Sequence, residues 1–210
     1  MNLAPKELDP GRQLFPPTLG QDPGRGRLAG RRIIVVGAGQ RRIPDEDPPM
    51  GNGRAASLLF AREGAEVVCI DASREAAEET VELVRREGGT ATAVTADVSD
   101  GEAIRPLVQQ CASTMGGLDG MMLNVGISSA LPLAQQTAAD WDREYAVNVR
   151  SHMLFSQAAL ELMSPGSSIV LISSLASQRS TGRNPAYESS KAAQVSLARS
   201  IAMAGEPMGI

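Results

Sequence analysis

The sequence predicts an α/β protein built on a doubly wound parallel sheet. From Arg32 onward, short runs rich in β-branched residues alternate with longer stretches in which apolar residues recur three or four positions apart. Most of the short runs carry no charge, as expected of parallel strands that are covered by helices on both faces. Most prolines lie before residue 50, so the later segments can form uninterrupted helices and strands.

Five strand-like runs alternate with five helix-like stretches. The strands are predicted at Ile33–Val36, Glu66–Ile70, Ala91–Val94, Gly120–Leu123 and Ser168–Ile172. The helices are predicted at Gly53–Arg62, Arg74–Arg86, Glu102–Met115, Ala139–Met163 and Ala186–Ala204. Right-handed crossovers between such strands bring their carboxyl ends to one edge of the sheet, where we expect the ligand site.

The length of 210 residues is compatible with one domain. Residues 1–28 are rich in proline and glycine without helix or strand periodicity, which predicts a flexible arm. Residues 29–210 form the predicted domain, interrupted by a ten-residue insert at 41–50. We expect the carboxylates Asp45, Glu46 and Asp47 of this insert to face solvent, because they would repel a phosphate. Contact of Arg41 or Arg42 with a phosphate is the alternative.

Composition excludes several classes of function. The net charge is −4 and no basic stripe is present, so no nucleic-acid surface is predicted. No apolar stretch is long enough to span a membrane, and charged residues stand where a signal peptide would be apolar, which favours a cytoplasmic location. His152 is the sole histidine, so we expect neither a Cys/His metal site nor a Ser-His-Asp triad. Cys69 and Cys111 are expected to be buried, reduced thiols.

A glycine-rich turn follows the first predicted strand and resumes after the insert. Gly37 and Gly39 come directly after the strand, and Gly51, Asn52 and Gly53 open the next helix. A pyrophosphate approaches backbone N–H groups closely only where no Cβ intervenes, and the helix N-terminus adds a partial positive charge. The turn therefore predicts a nucleotide site, with a turn that binds no ligand as the alternative.

Asp71 ends the second predicted strand, at a distance past the glycines that suits a carboxylate accepting hydrogen bonds from adenosine ribose hydroxyls. A 2′-phosphate would meet like charge there, so Asp71 favours NAD(H), with NADP(H) possible because Arg74 lies close. Asp71 also fits the N-cap of the helix that begins near Arg74, and the two roles are compatible.

Tyr187 and Lys191 lie one helical turn apart on the same helix face. The chain has two tyrosines and two lysines, so this spacing is unlikely by chance. A phenol is a weak base at neutral pH, and a neighbouring ammonium favours its phenolate form. The pair is therefore a candidate for acid/base chemistry, with an exposed helix pair of no function as the alternative.

Together these motifs resemble the classical short-chain dehydrogenases/reductases, which have a Rossmann-like fold, from about Arg27 to the last residue. Asp97-Val98 is similar to the family's Asp-Val that holds adenine, and Asn124-Val125-Gly126 is similar to its Asn-Ala-Gly. A serine thirteen positions before the tyrosine corresponds to Ser174, and a helix asparagine corresponds to Asn148. The cofactor-binding residues implied by the turn and the resemblance are Gly37, Gly39, Gly51, Asn52, Gly53, Asp71, Asp97, Val98, Asn124, Gly126, Tyr187 and Lys191.

The resemblance also implies roles for four catalytic residues. Tyr187 would be the general acid/base, Ser174 would bind the substrate oxygen, Lys191 would bind ribose and favour the phenolate, and Asn148 would hold a relay water. From the residues alone, Asn148 fits a satisfied buried amide, and Ser173 is a neighbour that can be confused with Ser174. The implied activity is that of an NAD(H)-dependent oxidoreductase that interconverts a secondary alcohol and a ketone.

The chain departs from the family pattern in the insert, in Val125 where alanine is usual, and in ending at Gly209-Ile210. Members similar to it continue into a sixth strand, a segment that covers the substrate and a seventh strand. We therefore expect a fragment or an incomplete relative, with Ile169–Ile172 at an unpaired apolar edge. A non-catalytic nucleotide-binding or scaffold subunit is the alternative function. Family members pair through helices equivalent to the last two predicted here, so a homodimer or homotetramer is expected.

Overall fold

A computed structural model describes residues 24–41 and 49–210, in which five parallel strands form one sheet in the order β3-β2-β1-β4-β5. The strands are β1 Arg32–Val36, β2 Glu66–Asp71, β3 Thr90–Thr95, β4 Leu118–Leu123 and β5 Met163–Leu171. The helices are α1 Asn52–Arg62, α2 Arg74–Arg86, α3 Gly101–Met115, α4 Ala138–Tyr145, α5 Ser151–Leu160 and α6 Pro185–Gly205. The predicted α/β class and parallel five-stranded sheet are confirmed.

The predicted helix at Ala139–Met163 is wrong in two respects. A π-helical turn at Ala146–Arg150 separates α4 from α5, and the helix ends at Leu160. The chain then enters β5 at Met163, which pairs with Leu118, five residues before the predicted strand. Pro165 cannot continue a helix, and the mostly polar start of β5 has no strand periodicity that the sequence reading could detect.

Alternate residues of the central strand pack on opposite faces of the sheet. Ile34 and Val36 face a core completed by helices α3 and α5, whereas Ile33 and Val35 face a core completed by α1 and α2. Cys69 and Cys111 are buried free thiols, as expected, and burial raises the pKa of both to about 11. Within the described residues, no helix is both long and apolar enough to cross a membrane.

β5 lies at one edge of the described sheet and pairs with β4. Val170, the second-to-last residue of this strand, is 48% exposed. This agrees with the expected apolar edge, a feature that favours association with another strand or chain.

The chain before β1 is attached to the domain through Glu63. This carboxylate is 3% exposed and accepts the backbone N–H groups of Arg25 and Arg27 at 3.1 and 3.0 Å. The Arg27 guanidinium donates to the same side chain at 2.9 Å, and the Leu28 N–H donates to the Glu63 carbonyl. Arg25, Arg27 and Leu28, at the end of the predicted flexible arm, are therefore hydrogen-bonded to the residue that follows α1. Residues 1–23 lie outside the described residues.

The hydrogen bonds from Arg27, and then those from the backbone, lower the pKa of Glu63 to about 2. A carboxylate whose pKa is depressed in the folded state contributes stability above its unfolded pKa and loses that contribution as the pH falls toward the folded pKa. Glu63→Gln is therefore expected to lower the Tm by about 2–4 °C at pH 7. The difference should narrow between about pH 4.5 and 2.

Thermal melts of the unaltered protein and of Glu63→Gln across this pH range test the contribution of Glu63 to stability. Glu82→Gln is the matched control, because the exposed Glu82–Arg86 pair lies within one helix and contributes little. The account would be contradicted if Glu63→Gln and the unaltered protein had the same Tm at pH 7, or if their Tm difference stayed constant down to pH 2.

Candidate active site

The candidate site lies at the carboxyl ends of the strands, where β1 is flanked by β2 on one side and β4 on the other. The crossover after β1 leads to β2 on one side, whereas the crossover after β4 leads to β5 on the other, which opens a cleft between the loops that follow β1 and β4. The cleft has a volume of about 900 Å³. Its lining includes most of the predicted cofactor-binding residues, namely Gly37, Gly39, Asp71, Asp97, Val98, Asn124 and Gly126.

Gly37 brings three segments of backbone together. Its φ of +81° suits glycine, and a Cβ there would lie 2.8 Å from the backbone of Val125. The Gly37 carbonyl accepts the Nδ2–H of Asn124 at 2.8 Å. It also lies 1.9 Å from where a Cβ on Gly53 would stand, so α1 approaches this closely only with glycine at that position.

The two halves of the glycine turn are joined across the insert by Gln40. Its side-chain amide accepts the N–H of Gly51 and donates to the Pro49 carbonyl at 3.0 Å. The ends of the insert are thereby held together, and α1 begins at Asn52 without a side-chain cap. Arg41 lines the cleft, whereas Arg42 and the three insert carboxylates lie outside the described residues.

Asp71 faces the glycine turn from the end of β2. One carboxylate oxygen accepts the N–H of Gly39 at 2.9 Å, and the other accepts the N–H of Ser73 at 3.0 Å. Ser73 itself caps α2 by accepting the Ala76 N–H. The N-cap alternative for Asp71 is therefore wrong, because Ser73 holds that position. A Cβ on Gly39 would lie 2.7 Å from the Asp71 carboxylate, so this contact also requires glycine.

The far wall of the cleft is formed by Asp97, Val98 and Arg143. Asp97 accepts the backbone N–H and the hydroxyl of Ser99, and these bonds lower the pKa of its carboxyl. Val98 is buried beside it. Arg143 faces the same space from α4 and adds a positive charge that sequence reasoning missed. A lone arginine in a helix with mixed charges gave no signal for that role.

Gly126 connects this cleft with the predicted chemical groups. A Cβ at Gly126 would lie 3.2 Å from the Nζ atom of Lys191 and 3.6 Å from the Oδ1 atom of Asn148. The neighbouring Val125 donates its N–H to the Val36 carbonyl and packs against the core, so valine is accommodated where the resemblance suggests alanine.

Lys191 is 3% exposed, and its Nζ atom lies 5.6 Å from the centre of the Tyr187 ring. The ammonium donates to the Ile172 carbonyl at 2.9 Å and to the side chain of Gln194 at 3.2 Å. Burial lowers the pKa of Lys191 to about 8. Lys191 and Tyr187 are therefore neighbours on one face of α6, as their spacing in the sequence predicts.

The two neighbouring serines have different contacts. Ser173 donates its hydroxyl to the Lys191 backbone carbonyl at 2.8 Å, which ties the end of β5 to α6. Ser174 accepts the N–H of Ala176 at 3.1 Å, and this bond leaves its own O–H proton available. Ser174 is therefore the serine whose hydroxyl can donate to a substrate.

Asn148 lies in the π-helical turn and is fully buried. Its side-chain amide accepts the Ile127 N–H at 2.8 Å and donates to the Ile127 carbonyl at 2.9 Å and to Ser190 at 3.0 Å. The side chain is thus the satisfied buried amide that the residues alone suggested. It fixes the loop after β4 against α6.

The loop after β4 is held by two further residues that sequence reasoning missed. Glu144, 1% exposed, accepts the Ser129 N–H at 2.6 Å, and Asn184 donates to the Ser128 hydroxyl. The position of Glu144 on the buried face of α4, four residues before Asn148, is the sequence feature that could have identified it.

Comparison with known proteins agrees with this geometry. A sequence model of the family described as enoyl-(acyl carrier protein) reductase matches residues 50–210. The chain is 36% identical over 177 residues to an uncharacterized oxidoreductase of Thermotoga maritima, a match that covers 83% of this chain and 65% of that protein. It is 33% identical over 179 residues to versicolorin reductase stcU of Emericella nidulans, covering 84% and 64%. The chain thus spans less than two thirds of the length of these relatives.

A solved structure of a short chain dehydrogenase from Burkholderia cenocepacia in complex with NADP superposes on the chain with a TM-score of 0.77. The two are 30% identical, and the match covers 88% of this chain and 72% of that one. The family match over residues 50–210 includes the second half of the glycine turn, strands β2 to β5 and the Tyr187–Lys191 pair. The chain therefore belongs to the short-chain dehydrogenase/reductase family.

Proposed function

We propose that the protein is an oxidoreductase that binds a nicotinamide dinucleotide and interconverts a secondary alcohol and a ketone. The observation that carries this proposal is the junction at Gly126, where the nucleotide-sized cleft meets Lys191, one helical turn from Tyr187. A cleft without adjacent acid/base groups would support nucleotide binding but not catalysis.

The residues of the cleft fit a dinucleotide. Gly37 and Gly53 allow the turn after β1 and the start of α1 to approach each other closely, and the uncapped start of α1 offers N–H groups to a pyrophosphate. Asp71 is placed to accept hydrogen bonds from a ribose, and Asp97 and Val98 form the opposite wall. A bound nicotinamide dinucleotide supplies or accepts the hydride.

The chain's own groups move the proton and hold the substrate. In the reductive direction, the Tyr187 hydroxyl donates its proton to the carbonyl oxygen as the carbonyl carbon gains a hydride. In the oxidative direction, the phenolate takes the proton back. Lys191 holds its ammonium 5.6 Å from the centre of the Tyr187 ring, and the Ser174 hydroxyl donates to the same substrate oxygen. Asn148 positions the loop that begins at Ile127.

The acid/base role predicts that Tyr187→Phe lowers turnover by a factor of at least about 1,000, because general acid/base catalysis contributes factors of this order. NADH affinity should stay within about threefold of the unaltered protein, since the phenol is not required for the cleft. Tyr145→Phe is the matched control, because Tyr145 stacks on Trp141 and takes no part in the proposed reaction. Turnover assays on a panel of alcohols and ketones, with NADH titration, measure both quantities.

Retained turnover in Tyr187→Phe would contradict the proposed chemistry. Tight NADH binding without turnover in the unaltered chain would instead favour the non-catalytic nucleotide-binding alternative.

We propose NAD(H) as the preferred cofactor because the Asp71 carboxylate stands beside the glycine turn. Asp71→Asn removes this charge and is expected to reduce the preference for NADH over NADPH by about tenfold, which corresponds to about 1.4 kcal/mol. Glu82→Gln changes the net charge equally, but Glu82 does not line the cleft and pairs with Arg86 at 3.2 Å, so this variant should leave the preference unchanged. Competition between NADH and NADPH measures the ratio. Equal shifts in both variants would assign the effect to net charge rather than to Asp71.

We also propose that the protein associates with copies of itself. Met153 on α5 and Met203 on α6 are 39% and 71% exposed, which is compatible with a homodimer or homotetramer formed through these helices.

A further inference from the structure

The side chain of Gln194 links two groups of the candidate active site. Gln194 lies on α6, one turn beyond Lys191, and is fully buried. Its Oε1 atom accepts from the Lys191 ammonium at 3.2 Å, and its Nε2 atom donates to the Asn148 carbonyl at 2.6 Å. One amide thus joins the ammonium on α6 to the π-helical turn that follows α4.

The orientation of this amide is determined by its neighbours. An ammonium can only donate hydrogen bonds and a carbonyl can only accept them, so the amide oxygen faces Lys191 and the NH₂ group faces Asn148. The opposite orientation would place two donors together at Lys191 and two acceptors together at Asn148.

His152 on α5 approaches the same two groups through one ring nitrogen, which in a neutral imidazole either donates to the Asn148 carbonyl or accepts from Gln194. Its Nδ1 atom lies 2.7 Å from Gln194 Nε2 and 2.5 Å from the Asn148 carbonyl oxygen. Burial lowers the pKa of His152 to about 4, so the ring is neutral at physiological pH and adds no repulsion to Lys191. Tyr187 on α6 is the other ionisable group beside the ammonium. Among the described residues, the Lys191 ammonium is therefore hydrogen-bonded to two neutral acceptors, the Ile172 carbonyl and Gln194, and to no carboxylate.

We propose that Gln194 is a positioning residue that holds the Lys191 ammonium at the active site by bridging it directly to the Asn148 carbonyl. The resemblance implies a relay water held by Asn148, whereas the Asn148 carbonyl here accepts from the side chain of Gln194. Two of the three N–H groups of Lys191 are then bound, to Gln194 and to the Ile172 carbonyl. The third N–H group can donate toward Gly126 and the cleft. The importance of this bridge for catalysis rests on the proposed function, whereas its effect on Lys191 does not.

The ionisation of Lys191 tests the bridge without cofactor or substrate. Lys6 and Lys191 are the two lysines of the whole chain, so protein labelled with ¹³C-lysine gives two Cε resonances whose chemical shifts follow pH. The variant Lys6→Arg assigns them. Gln194→Leu removes the acceptor while burial remains, and should lower the Lys191 pKa by about one unit. Gln194→Glu replaces the acceptor by a carboxylate and should raise it by at least about one unit.

Opposite shifts in the two variants support the proposal. Ser156→Ala is the matched control, because Ser156 is a buried hydroxyl on α5 that takes no part in the bridge, and it should leave the Lys191 pKa unchanged. An unchanged Lys191 pKa in folded Gln194→Leu, or shifts of the same sign in both variants, would overturn the proposal. Circular dichroism shows whether Gln194→Leu is folded. If it is not, the test depends on Gln194→Glu alone, and a Lys191 pKa that does not rise in this variant overturns the proposal.

Kinetics separate positioning from a merely structural role. Gln194→Leu is expected to lower kcat about tenfold with KM within about threefold, and Gln194→Glu to recover part of the loss. A protein that binds no NADH would refute the proposed function, yet the Lys191 titration would still decide for or against the bridge.

Discussion

The arrangement of the site depends on the close approach of backbone segments at Gly37. Its carbonyl is bound by Asn124 from the end of β4 and lies against Gly53 at the start of α1. A side chain on Gly37 or Gly53 would separate these segments, and the cleft between them would lose its shape. The ten-residue insert enters this turn without opening it, because Gln40 holds its two ends. The parallel sheet supplies the rest, since it brings the ends of β1, β2 and β4 to one edge.

The chemical half of the site depends on buried polar contacts rather than on the sheet alone. Asn148 fixes the loop after β4, Ser173 ties β5 to α6, and Gln194 connects α6 to the π-helical turn. Each of these side chains hydrogen-bonds to the backbone of another segment, so each restrains the position of that segment. The Lys191 ammonium donates to the Ile172 carbonyl and to Gln194 in a site where burial lowers its pKa to about 8.

Much of this architecture was predictable from the sequence, because local patterns determine it. The five strands, the order of strand and helix, the split glycine turn and the Tyr187–Lys191 pair follow from spacing and periodicity. The break at Asn148 and the early start of β5 were missed, because a π-helical turn and a polar edge strand have no periodic signal. The contact between His152 and Gln194 joins residues 42 positions apart, and their polar character in apolar helices was the one available hint.

The most direct test of the central claim is whether this chain binds a nicotinamide dinucleotide in the cleft at Gly37. NADH titration of the 210-residue protein, followed by quenching of its single tryptophan, Trp141, measures the affinity. The account predicts saturable binding at one site per chain with micromolar affinity, and a loss of at least about tenfold in Gly53→Ala, where the added Cβ would meet the Gly37 carbonyl. Absence of saturable binding by the unaltered chain, or equal affinity in Gly53→Ala, would contradict it.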